Sequence, residues 1–239
     1  MKIIVDTTEA ISALAAKRYV RLLRSRPNAV LGFATGSTPL GLYAELVRLC
    51  DAGEISFRDA MSFNLDEYVG LDGSHEQSYR WFMDHYLFEK IDIDRARTHV
   101  PSGLDTDSAT AEAYDQAIIS TGGIDLQLLG IGNNGHIGFN EPGTPFGSRT
   151  HMVELTDSTR QANRRFFKSL DEVPTHAVTM GIRTVMNARS IILMALGTAK
   201  ADIIRKTVQG EVTEEVPASI LQLHPSVEVY LDYQAASLL

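Results

Sequence analysis

The chain has 239 residues, of which 44% are hydrophobic and 22% charged, a balance that excludes disordered and fibrous classes and fits one large domain or two small ones. Lys and Arg number 22 against 30 Asp and Glu, a net charge of -8. That balance leaves no broad basic face for a nucleic-acid backbone or an anionic membrane, so an anionic ligand needs a local positive pocket.

The chain opens on the apolar stretch Lys2–Val5, which reads as a strand and carries no secretory-signal pattern. A helix is expected from about Thr8 to Ser25, opened by a capping box of Asp6 and Glu9 and stopped before Pro27. Ala29–Ala34 reads as a buried strand. Pro39 then stands where a first helical residue tolerates proline, and Leu40, Tyr43, Ala44 and Val47 share one helical face that ends near Gly53. Cys50 on this stretch is the single cysteine; it has no disulfide partner in the chain and reads as a small core residue in a reducing compartment. Met61–Leu65 is the next strand, followed by helices at Ser78–Glu89 and Ser108–Ser120 and a strand at Ile124–Ile131. A helix from about Asp157 to Lys168, strands at Ala177–Met180 and Ser190–Leu196, a helix at Ala199–Val208 and a strand at Val227–Leu231 complete the pattern. Strands and helices thus alternate almost to the end. This predicts an α/β fold with an open, mainly parallel, doubly wound sheet and helices on both faces, Rossmann-like, in a single domain over residues 1–239. The longest apolar run, Ile191 to Leu196, falls far short of the ~20 residues of a membrane helix.

In such sheets ligands sit beyond the carboxyl ends of the strands, and three segments of unusual composition follow predicted strands. Ala34-Thr35-Gly36-Ser37-Thr38-Pro39 offers small residues, hydroxyl donors and a helix N-terminus, which suits a phosphate; a plain capped β–α turn has the same composition. Phe63-Asn64-Leu65-Asp66-Glu67-Tyr68 places two carboxylates on opposite sides of an extended chain. One of them, Asp66, is the candidate base, with Glu67 turned toward a structural partner; two solvated loop acids or a helix N-cap are the alternative. The segment Gly130–Pro142 sets His136 among glycines, with Asn134 and Glu141 close by in sequence. A histidine near neutral pH with a carboxylate to set its tautomer is a common acid–base arrangement.

The other histidines, His75, His85, His99, His151, His176 and His224, show no metal-ligand spacing, and no dinucleotide fingerprint or Gly-x-Ser-x-Gly elbow is present. No metal and no organic cofactor is expected. Arg164, Arg165 and Lys200 are cations near predicted helix or loop ends, indistinguishable at this level from ordinary surface charge.

Taken together, LGFATGSTP, FNLDEYVGL, GIGNNGHIGFNEP, SRT followed by LTDSTRQANRRFF, LGTAKA and SILQLH resemble the glucosamine-6-phosphate deaminase family, in the family's order and across essentially the whole chain. The resemblance implies conversion of glucosamine 6-phosphate and water to fructose 6-phosphate and ammonia. It implies that Asp66 moves the C2 proton to C1, that His136 assists ring opening, and that Glu141 and Asn134 orient it. By the same resemblance Thr35, Gly36, Ser37, Thr38, Arg165 and Lys200 form the phosphate clamp, and the segment at about 142–168 is a candidate lid. Some relatives carry Asp where this chain has Asn134, and the amide cannot balance an imidazolium charge. The allosteric hexameric relatives carry basic residues where this chain has His151 and Val153, and a longer tail beyond the last strand. A short, non-allosteric, cytoplasmic enzyme, monomeric or a small homo-oligomer, is the corresponding expectation. Two alternatives stand beside it. One is 6-phosphogluconolactonase, which has Asp-Glu-Arg where this chain has Asp66-Glu67-Tyr68 and Thr where it has Ile137. The other is a non-catalytic sugar-phosphate sensor, although no helix-turn-helix precedes the first strand.

Overall fold

The computed structural model describes residues 1–164 and 167–239. In chain order its elements are β1 (Lys2–Asp6), α1 (Thr8–Ser25), β2 (Val30–Phe33), α2 (Leu40–Asp51), β3 (Met61–Asn64), β4 (Asp66–Tyr68), α3 (Tyr79–Tyr86), β5 (Thr98–His99), α4 (Ser108–Ser120), β6 (Leu126–Leu129), β7 (His151–Glu154), α5 (Asp157–Asn163), β8 (His176–Thr179), α6 (Ile182–Met186), β9 (Ile191–Ala195), α7 (Ala201–Gln209) and β10 (Val227–Asp232). Seven strands form one sheet in the order β1-β10-β9-β6-β2-β3-β5, and every pairing in it is parallel. The inner strands β2, β6 and β9 are buried at every residue, as strands covered on both sides must be.

Register shows why both faces are covered. Phe33 packs in register with Asn64 while Phe63 pairs with Gly32, so the two rings lie on opposite faces. Phe33 stacks on Tyr19 of α1 at a centroid distance of 6.0 Å and meets Tyr43 of α2 edge-on at 5.7 Å. Phe63 instead meets Tyr114 of α4 at 5.7 Å. The chain moves outward from β2 through β3 to β5, then returns to lay β6 on the other side of β2. Loops leaving β2 and β6 therefore diverge, which opens a crevice at the carboxyl edge between them.

A second, three-stranded antiparallel sheet, β4-β8-β7, went unforeseen apart from β8. It has a small core of its own in which Tyr68, Phe139, Leu155 and Ala177 pack with Tyr79 and Phe167. Several ends also differ from the sequence reading. The α1 cap is Thr7, whose Oγ1 accepts from Ala10 N at 3.2 Å, because Asp6 remains in β1 and accepts from Thr7 N instead. The helix expected to reach Glu89 ends at Tyr86 and continues as a 3-10 turn at Phe88–Lys90. The one expected to reach Lys168 is helical to Asn163.

Candidate active site

The carboxyl ends of β2, β3, β6 and β9 carry the four groups of candidate residues. After β2, Thr35 to Thr38 lead into α2, and Gly36 takes φ +98, which glycine adopts without strain. Ala34 is anchored by its carbonyl, which accepts from Tyr43 Oη. Among the described residues, neither the hydroxyls of Thr35, Ser37 and Thr38 nor the N–H groups of Gly36, Ser37 and Thr38 are committed to a hydrogen bond. Uncommitted donors at a helix start are what an anion requires.

After β3 the chain turns at Leu65 and runs into β4, where the alternation of side chains separates the two acids. Glu67 faces the start of α3, accepting from the N–H groups of Tyr68, Tyr79 and Arg80 at 2.8, 2.9 and 3.0 Å. Burial raises it to about 6 against the pull of those bonds. Asp66 points the other way, toward the third segment. A Cβ built on Gly138 would stand 3.5 Å from Asp66 Oδ2 and 2.8 Å from Thr179 Oγ1. Among the described residues Asp66 has no hydrogen-bond partner for its carboxyl. Burial, then the neighbouring Glu67 charge, raises it to about 8.

After β6 the segment from Gly132 to Glu141 folds back on itself. Gly132 N donates to His136 O at 2.9 Å, and the imidazole lies so close over Gly132 that a Cβ there would meet the ring at 2.2 Å. Glycine is thus required for the ring's position. His136 Nδ1 faces Glu141 Oε2 at 3.6 Å. Asn134, to which the resemblance gave a part in orienting His136, bonds the backbone of that residue and not its ring. Its Nδ2 donates to Glu141 Oε2 at 2.6 Å, while its Oδ1 accepts from the His136 backbone N–H at 3.2 Å. The amide therefore aligns the carboxylate, and the carboxylate faces the ring. The other oxygen, Glu141 Oε1, accepts from Thr159 Oγ1, with Thr156 Oγ1 at 3.4 Å. Burial works against the Glu141 charge, but His136, Thr159 and Asn134 together hold the carboxyl down at about 2.

Lys200 lies in the 3-10 turn Thr198–Lys200 after β9 and donates to Ile131 O at 2.7 Å, at the root of the His136 segment. Arg165 lies outside the described residues. Thr156 and Thr159 escaped the sequence reading; their signal was the Thr-x-x-Thr spacing across the start of a helix, which puts both hydroxyls on its first turn. Among the described residues no group of three or more His, Cys, Asp or Glu is placed to hold a metal ion, and no described helix is long and apolar enough to cross a membrane.

A parallel sheet with a buried carboxyl, a His–carboxylate pair and a loop of uncommitted donors at one carboxyl edge is the layout of an α/β enzyme. The profile of the glucosamine-6-phosphate isomerases/6-phosphogluconolactonase family matches residues 5–230, and the chain belongs to that family. It is 47% identical over 241 residues to a glucosamine-6-phosphate deaminase of Thermoanaerobacter pseudethanolicus, covering 100% of this chain and 95% of the relative. A glucosamine-6-phosphate deaminase of Geobacillus sp. is 52% identical over 231 residues, covering 96% and 92%. A solved monomeric glucosamine-6-phosphate deaminase superposes with a TM-score of 0.97 at 45% identity, covering 100% of both chains. The 6-phosphogluconolactonase of Trypanosoma brucei superposes with a TM-score of 0.78 at 20% identity over 100% and 98% of the two chains, a likeness of fold alone.

Proposed function

We propose that this chain converts glucosamine 6-phosphate and water to fructose 6-phosphate and ammonia. The observation that carries the reading is the division of labour at one sheet edge. A buried carboxyl without hydrogen-bond partners among the described residues, Asp66, faces Gly138 of the segment that carries the His136–Glu141 pair, in a chain close in sequence to deaminases along its whole length. The substrate phosphate binds the Thr35–Thr38 donors, with Lys200 and Arg165 supplying charge. His136 carries a proton between O1 and the ring oxygen as the pyranose opens, and the Glu141 carboxylate balances the imidazolium that forms. Asp66 then removes the C2 proton: the C2–H electron pair becomes the C1–C2 double bond, the C1 carbonyl π pair moves to O1, and O1 takes a proton from the substrate's C2 ammonium group, which leaves an enolamine. Redelivery of that proton to C1 gives a C2 iminium. Water adds at C2, the C–N bond breaks, and ammonia leaves with the ketose. A carboxyl that must hold a proton between two carbons works best with a pKa near the working pH, and the burial of Asp66 moves it that way.

No cofactor is needed for this sequence of proton transfers. A monomeric, cytoplasmic enzyme of amino-sugar catabolism, such as growth on N-acetylglucosamine requires, is the corresponding physiological reading, since a sugar phosphate is too polar to cross a membrane unaided. Ammonia release from glucosamine 6-phosphate tests it, run beside hydrolysis of 6-phosphogluconolactone after exhaustive EDTA treatment. Equimolar ammonia and fructose 6-phosphate are expected; lactone hydrolysis without ammonia refutes the reading, and a loss of activity restored by metal refutes its cofactor-free form.

A further inference from the structure

Glu141 is held from two sides by different parts of the chain. Its Oε2 belongs to the segment it closes, facing His136 Nδ1 at 3.6 Å and accepting from Asn134 at 2.6 Å. Its Oε1 is gripped from α5, by Thr159 Oγ1. Thr159 is itself buried and tied into the helix start. Thr156 Oγ1 donates to Thr159 Oγ1 at 3.1 Å and accepts from Thr159 N at 3.3 Å as the cap. A hydroxyl carries one proton. Thr159 gives its own to Glu141 Oε1, while Thr156 has one proton for two acceptors, Thr159 Oγ1 and, at 3.4 Å, Glu141 Oε1. The last torsion of the carboxylate is broad for this residue type, and Asn134 holds one oxygen only, so the plane is fixed when the second oxygen is held as well. Pinning Oε1 leaves Oε2 aimed at the imidazole.

We infer that Thr159 is a positioning residue for the His136–Glu141 pair, so that the first turn of α5, some twenty residues beyond the histidine, is part of the ring-opening apparatus. The inference rests on the deaminase reading for its kinetic consequence and on the geometry alone for its effect on the histidine. Among the described residues His136 is the titratable group that faces Glu141 from its own segment. From α5, Arg160 is engaged with the carbonyls of Leu170 and Val173, and Asp157 is exposed, so the helix presents hydroxyls to the carboxylate and no charge. The low proton affinity of Glu141 is consistent with a donated hydrogen bond on each oxygen.

The test compares Thr159→Val, which keeps the shape and removes the hydroxyl, with Thr159→Ser, which keeps the hydroxyl. Hydrogen bonds to a charged group are the strong ones, so kcat of Thr159→Val is expected to fall about tenfold or more while KM stays within about twofold. Thr159→Ser should return kcat toward wild type. NMR chemical shifts of the His136 ring nitrogens, recorded at fixed pH in the substrate-free protein, supply a second readout that does not need the assigned reaction. They should move in Thr159→Val, where the carboxylate no longer faces the ring squarely, and return in Thr159→Ser. Unchanged ring shifts in a folded Thr159→Val protein, or a serine variant as impaired as the valine one, overturn the inference. Moved ring shifts in a protein that releases no ammonia from glucosamine 6-phosphate support the positioning and overturn the reaction assigned to it.

Discussion

Replacing Asp66 by Asn should trade activity for stability in a pH-dependent way. The Asp66 carboxyl is buried beside Glu67 and sits at about 8, against an ordinary value of 3.8. A carboxyl raised on folding contributes stability that is complete below about 4, declines as pH rises, and is gone above about 8. Each unit of pH within that window is worth about 1.4 kcal/mol. The stability of Asp66→Asn relative to wild type should therefore grow by about 2–3 kcal/mol between pH 5 and pH 7 and level off above about 8. The constant cost of burying the new amide, about 1–3 kcal/mol where its N–H groups find no acceptor, cancels in that comparison. Paired urea titrations at several pH values measure it, and the same variant should lose about 10²–10⁴ in turnover with little change in phosphate affinity, because base and anion loop lie on different strands. A stability difference that stays flat from pH 5 to pH 7 would refute the reasoning, since it would place the titration of Asp66 near its ordinary value. Wild-type exchange of the C2 proton with solvent in Asp66→Asn would separately refute its role as the base.

Two further outcomes follow from the site. His136→Gln should slow turnover on the cyclic substrate while an open-chain analogue binds nearly as tightly as to wild type, checked by parallel kinetics and calorimetry; equal weakening toward both would remove ring opening from the role of His136. Initial rates against glucosamine 6-phosphate should be hyperbolic and unaffected by N-acetylglucosamine 6-phosphate, because an effector needs a site it binds differently in two states, and the corresponding stretch offers Val153 and the half-buried His151 rather than cations. A sigmoidal curve made hyperbolic by that compound would show a second phosphate site.

The alternation of short apolar runs and amphipathic stretches already determined the doubly wound sheet, because a parallel strand is buried on both faces and its helix on one. The bounds of α1 and α4 were legible to the residue, each set by a local cap or stop such as the Asp107 side chain before Ser108. The parity of β4 was legible too: adjacent side chains on an extended segment diverge, so Asp66 and Glu67 had to face different neighbours. What those neighbours were was decided only in three dimensions. The strand β4 has three residues and pairs with β8 more than a hundred positions away, and a segment that short carries no periodicity from which to read it. Strand β7 was hidden for the same reason, its pattern His151–Glu154 being half exposed. The resemblance gave Asn134 a part in orienting the histidine, but a hydrogen bond is set by direction, and the turn sends its amide N–H to Glu141 and its oxygen to the His136 backbone. Thr159 shares no local pattern with Glu141. Only the return of α5 over the His136 segment brings its hydroxyl to that carboxylate, and tertiary packing, not spacing along the chain, makes the two one unit.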